Sequence, residues 1–248
     1  MIDDEELFGA DLIGRRLLKV TTAWHHYADD EPSLVHLWLH LEGLGPVLFR
    51  TPSTGLSLRA SQPYEPYSMD EDGSVSVSEY GSPDVAVTRF IGQSIRSVRE
   101  IDYDDGRVRF TAGLTLQFQD GSVRLLGLVD ELLIAHDQYL GPVEAHLHED
   151  VTIARVVRAC RSGPSQWDAW TTTGQYLYLR YRHGEGSVER HPDQSTGTWD
   201  GEESILWARW DDGTDGDSIA LTDFLVMAGL RLAPDAEVHT TPPTDPKA

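Results

Sequence analysis

Residues Phe90 to His136, FIGQSIRSVREIDYDDGRVRFTAGLTLQFQDGSVRLLGLVDELLIAH, decide the fold. Leu114, Leu116 and Phe118 alternate with Thr115, Gln117 and Gln119, the period of two expected of a strand with one buried face. Asp120-Gly121 then turns the chain into Val123 and Leu125, a hairpin signature. Upstream, Tyr103–Arg109 repeats the device around Asp105-Gly106.

The same pattern occurs once before. Leu12-Ile13-Gly14, Leu17 and Val20 fall on Phe90-Ile91-Gly92, Ile95 and Val98 at an offset of 78. Leu37, Leu39 and Leu41 fall on Leu114, Leu116 and Phe118 at 77, while Gly45, Val47, Leu56 and Leu58 fall on Gly121, Val123, Leu132 and Ile134 at 76. The offset shrinks at loops and never inside a strand, as in a tandem duplication whose loops absorb length changes. The expected fold is therefore mainly β (α+β): a duplicated β-meander, copies 12–58 and 90–134 within a domain 1–140, forming a sandwich or barrel-like core. Neither copy is expected to be stable alone. The intervening 62–84 reads as a mobile connection containing one polar edge strand, SVSVSEY.

After Tyr139 the texture changes. Residues 143–160 can be read as helix or as extended chain; Ile153, Val156, Val157 and Cys160 at 3-1-3 steps favour a short amphipathic helix capped by Asp150, so 141–163 is expected to be a helical connector. Residues 164–233 form a β-β-β-α module: QYLYLRYR places Tyr176, Tyr178, Arg180 and Arg182 opposite Leu177, Leu179 and Tyr181, a turn at Gly184-Glu185-Gly186 follows, ILWARW is a strand, and a helix capped by Thr222 stops at Gly229. The proline-rich 234–248 reads as a disordered tail.

Composition bounds the role. Twenty basic against 41 acidic residues give a net charge of −21, which opposes binding to nucleic acid phosphate or anionic membrane and favours a basic protein partner. The acidic amino-terminal stretch lacks the features of a secretory signal, and no window reaches the roughly 18 apolar residues of a membrane span. A cytoplasmic protein is expected. The single cysteine, Cys160, precludes an internal disulfide and sits at an apolar position suited to an inert thiol.

Catalytic signatures are missing. There is no G-x-S-x-G, no Walker A and no G-x-G-x-x-G, and no cofactor is expected. His146 and His148 form, with neighbouring acids, the densest set of metal-ligand types, but in no established metal spacing. The acidic loop Asp211–Asp217 carries oxygens suited only to adventitious cation binding. Asp130 and Glu131 read as an acidic turn entering a strand. Tyr, Trp and Arg are the residues enriched at binding hot spots, so Tyr176, Tyr178, Arg180, Arg182 and Trp207, with Asp130 and Glu131, are the expected partner-binding residues.

The second copy, I-G-x-x-I-x-x-V followed by D-G and D-E-L-x-I, resembles small β-rich immunity proteins of bacterial polymorphic toxin systems. The first copy departs from that pattern by lacking D-G and D-E. The segment YLYLRYR is similar to uncharacterised actinobacterial and phage proteins. The immunity resemblance implies a cytosolic, non-catalytic protein that occludes a toxin. The leading expectation is an acidic inhibitor or immunity protein engaging a basic partner such as a toxin or nuclease. Alternatives are a structural or assembly protein of a phage or host complex, and a metal-assisted hydrolase using His146 and His148.

Overall fold

The structure, a computed structural model, describes residues 6–28, 30–52, 54–78, 85–129, 131–136, 138–160, 163–194 and 204–240. The chain is mainly β and divides into two compact units, Met1–Glu149 and Asp150–Ala248. No helix among the described residues is long and apolar enough to cross a membrane.

The first unit contains β1 (Glu6–Leu7), β2 (Leu17–His26), β3 (Ser33–Leu41), β4 (Gly45–Arg50), β5 (Ser57–Ala60), β6 (Tyr67–Ser68) and β7 (Ser74–Ser78). These make one sheet in the order β1-β5-β4-β3-β2-β7-β6. Then come β8 (Ser97–Asp104), β9 (Arg109–Phe118), β10 (Gly121–Leu128), β11 (Glu131–Ala135) and β12 (Leu147–Glu149), ordered β11-β10-β9-β8-β12. Short 3-10 turns, Gly9–Leu12 and Ala86–Phe90, lead into β2 and β8. The sheets are open and are not closed into a barrel. Their facing sides share one apolar core, with Leu17, Leu37, Leu39 and Phe49 from the first and Ile95, Leu114, Leu116 and Leu125 from the second.

The two meanders match residue by residue. Val20 pairs with Leu39 and Leu39 with Val47, as Val98 pairs with Leu116 and Leu116 with Val123. Phe49 pairs with Leu58 as Leu125 pairs with Ile134. They also clasp reciprocally. Gly14 N–H donates to Ile95 O at 2.7 Å and Gly92 N–H to Leu17 O at 2.7 Å; Leu17 N–H donates to Gln93 O and Ile95 N–H to Arg15 O, both at 2.9 Å. Every partner in one bond is the 78-residue image of its counterpart in the other, and the pair Arg16 and Ser94 bridges at the centre of this local two-fold.

The correspondence extends beyond the copies read from sequence. β7 adds antiparallel to β2 with Ala23 opposite Val77, and β12 adds antiparallel to β8 with Ile101 opposite Glu149. Each repeat thus has five corresponding strands; within 62–84 the expected polar edge strand is β7, and the rest, read as a mobile connection, supplies β6. These returning segments cover the outer faces. Trp38 and Leu48 are buried under Val75, Tyr64 and Met69, while Ile101 and Leu126 are buried with Leu140 and Leu147. The polar outer face expected of β9 is accordingly closed, and Thr115 is only 2% exposed.

The second unit contains β13 (Thr152–Arg158), β14 (Ser165–Thr171), β15 (Tyr176–Arg182), β16 (Glu185–His191), β17 (Ile205–Asp211), α1 (Leu221–Ala228) and β18 (Arg231–His239), with strand order β17-β16-β15-β14-β13-β18. Its core joins Leu177, Leu179, Tyr181 and Val188 to Phe224, Leu225 and Ala228 of the helix. Phe224 lies between Trp210, 4.8 Å away, and Trp167, 5.2 Å away by ring centroid.

Three expectations change here. The helix expected over 143–160 is a 3-10 turn, Gly141–His146, followed by β12 and β13. A bulge between Ile153 and Arg155 turns Ile153 and Val156 to one face, so a three-residue spacing that imitates a helix arises in a strand. The helix α1 is capped at Ala220, with Thr222 inside its first turn, and Gly229 at φ +68° ends it. Residues 234–239 of the expected tail belong to β18, a parallel edge strand on β13, where Pro234 is tolerated because an edge leaves one side unpaired. Residues 241–248 lie outside the described residues.

Candidate functional site

The outer face of the second meander carries a row that runs across three strands: Arg99 on β8, Thr115 on β9 and Arg124 on β10, in direct register. Their immediate sequence neighbours, Val98, Leu116 and Val123, face the shared core, so alternation forces the row outward. With strands about 4.8 Å apart, the two arginine backbones stand about 10 Å from one another.

The returning segment brings carboxylates to both. Arg99 Nε donates to Glu149 Oε2 at 3.0 Å, and Thr115 Oγ1 donates to the other oxygen of the same carboxylate. Arg124 Nη1 donates to Glu144 Oε1 at 2.5 Å and Nη2 to the carbonyl of Gln138 at 2.6 Å. The Arg124 hydrogen bond is the main cause that holds the Glu144 carboxyl below its ordinary range. These four charged groups, with Thr115, Ser122 and Tyr139, line a cleft of about 380 Å³. Arg99 is 8% exposed, and its Nη1 is buried without a hydrogen-bond partner.

The first meander shows what the fold requires at these places. Its equivalent row is Thr21, Trp38 and Leu48, and Val77 stands where Glu149 stands. An uncharged row satisfies the same backbone, so the charges of the second row are not demanded by the architecture.

A second arginine cluster lies on the second unit. Gln166, Arg180, Ser187 and Arg209 form one row across β14 to β17, with Arg182 beside Glu185 on the next. Arg180, Arg182 and Arg209 line a shallow depression with His183 and Glu185; Arg209 Nη2 donates to Glu185 Oε2 at 3.0 Å. The nearby loop 211–217 is held by its own carboxylates: Asp212 accepts from Thr214 N–H and from Tyr181 Oη, and Tyr181 is the main cause that lowers the Asp212 pKa.

The residues expected to bind a partner are dispersed. Tyr178, Arg180 and Arg182 share the outer face of β15, as the alternation implied. Tyr176 on that face is 2% exposed, donating its hydroxyl to Asp168 at 2.7 Å. Trp207 is 7% exposed, because a bulge opposite Val188 and Glu189 leaves it as the extra residue packed into the core. Neither presents a surface to a partner. Glu131 is exposed at the start of β11, and Asp130 lies outside the described residues. His148 is exposed opposite Asp102, whereas the His146 ring lies tilted against Tyr103, 5.6 Å away by centroid. Among the described residues no three of His, Cys, Asp and Glu come together as metal ligands.

Sequence reading passed over Arg99, Arg124, Glu144 and Glu149. A signal was present: Arg99 and Arg124 are two of the places where the second copy carries charge and the first does not, Thr21 and Leu48 standing there instead. Chemically, the row offers guanidinium forks for a planar oxyanion. The chain matches no family model, no curated protein sequence and no solved structure.

Proposed function

We propose that the chain is a non-catalytic binding protein of the inhibitor or immunity kind, whose acidic exterior engages a basic protein. The observation that carries this reading is the excess of 41 acidic over 20 basic residues. Such a field accelerates encounter with a positively charged surface and rejects acidic competitors. Fixed carboxylates in turns support it. At the β8–β9 turn Asp105 Oδ1 accepts from Arg107 N–H at 2.8 Å and Val108 N–H at 2.9 Å. These bonds, that from Val108 foremost, lower its pKa and keep it ionised. Asp212 is held likewise. Both carboxylates are presented in one conformation rather than on a loose chain, which lowers the entropy lost on docking.

Affinity capture from the source cells, followed by titration with the purified captured protein, tests the reading. The expected partner is basic, binds one to one, and weakens at least tenfold between about 0.05 and about 0.5 M salt. Asp105→Lys or Asp212→Lys should slow association while leaving the far-UV spectrum unchanged. An acidic partner, a salt-independent complex, or metal-stimulated hydrolysis by the purified chain would each overturn the proposal.

A further inference from the structure

The cleft over β8, β9 and β10 was built at a cost that the fold did not impose. Burying a guanidinium is unfavourable unless its donors are matched. Arg99 has one donor nitrogen, Nε, on Glu149, while Nη1 is buried without a partner beside the cleft. At the same place in the first meander Thr21 closes the face without charge. A structural ion pair would have used the forked, two-donor geometry that a carboxylate and a guanidinium favour; here Glu149 takes Nε of Arg99 and turns its second oxygen to Thr115.

We infer that this cleft is a binding site for a singly charged carboxylate, recognised by the Arg99 guanidinium with Arg124 alongside. Charge sets the class of ligand. Arg99 and Arg124 are already balanced by Glu144 and Glu149, so an entering monoanion leaves one net negative charge, and a dianion such as phosphate leaves two inside a protein of charge −21. A neutral amide satisfies the donor but forgoes the charge-assisted part of the hydrogen bond, which makes up about half its strength. Ser122 lines the cleft and can offer a hydroxyl donor, the Thr115 hydroxyl being already donated to Glu149, and Tyr139, 74% exposed, lines it too. This site is separate from the acidic exterior on which the proposed function rests, so either can fail without the other.

The test is a titration of the whole chain with sodium acetate, followed through the arginine side-chain N–H and tryptophan indole N–H resonances. Acetate should shift the Arg99 signal saturably, with a Kd on the order of 1–10 mM as suits so small a ligand. The Trp38 indole, at the Thr115-equivalent place in the first meander, should not move. Phosphate and acetamide should each bind at least tenfold more weakly than acetate. Arg99→Leu should lose at least tenfold in acetate affinity; should that variant fail to fold, Arg124→Gln, whose side chain is more exposed, should show a smaller loss on a native spectrum. A flat response to acetate, tighter binding of phosphate, equal binding of acetamide, or full affinity in a folded Arg99→Leu protein would sink the inference.

Discussion

Arg99 and Thr21 show how one backbone position accepts opposite chemistries when the covering segment changes with it: Glu149 comes with the arginine and Val77 with the threonine. The companion face of the first meander has its own polar pair. Tyr64 Oη lies 2.6 Å from His36 Nδ1 beside the buried Trp38. Burial, then Arg50, lowers the His36 pKa from 6.5, and burial, then Tyr67, raises that of Tyr64 to about 12. The signs differ between the two ends of the pH scale. Below pH 6.5 the unfolded chain binds a proton at His36 before the folded one does, so stability present above 6.5 falls as pH falls. For Tyr64, stability is fully present below pH 10 and declines between 10 and about 12, because the unfolded phenol ionises first. Tyr64→Phe should therefore flatten the alkaline limb of urea midpoint against pH and leave the acid limb in place. Residue size is equally constrained at Gly127, where an added Cβ would stand 2.2 Å from Gly55 O and 2.7 Å from Thr51 Cγ2. Gly127→Ala should cost about 1–3 kcal/mol in urea unfolding, since the two meanders must part to admit it.

At the scale of elements, the clasp between the turns before β2 and β8 follows from two glycines at φ +80° and +93°. A Cβ on Gly14 or Gly92 would meet nothing within 4 Å, so substitution there acts through backbone strain alone. Gly14→Ala and Gly92→Ala should each cost about 1–2 kcal/mol, and by nearly equal amounts, because the bonds they make are images of one another. Unequal losses by chemical denaturation would show that the two-fold is geometric and not energetic. The strands themselves were legible as far as alternation with one apolar face reaches, in β3, β9, β10 and β15. Where a bulge altered the period, β13 was misread as a helix, and in β17, read correctly as a strand, the burial of Trp207 was missed. In β13 the offset between Ile153 and Arg155 put Ile153 and Val156 on one side, and in β17 it turned Trp207 into the core. A bulge is fixed by what the neighbouring strand needs, so no window of one strand reveals it.

For the first unit as a whole, the apolar side of each meander is buried by the other, with Leu39 and Leu116 both fully enclosed. A fragment of residues 1–84 should accordingly be unfolded by circular dichroism, since the apolar face of its sheet is covered by the missing repeat; a cooperative melt from that fragment would contradict the shared core. What the sequence determined by itself was the strands of the two meanders, their hairpin turns and the pairing register of the two repeats. These depend on a period of two and on a recurring pattern, and both are local or self-referential properties of the chain. Only the tertiary structure decided that β7 and β12 add to β2 and β8 and that their segments cover the outer faces, that β18 joins β13, and that Arg99 meets a carboxylate 50 residues away. Those outcomes depend on which surfaces remain open once the meanders have closed, and such a surface exists only in the folded molecule.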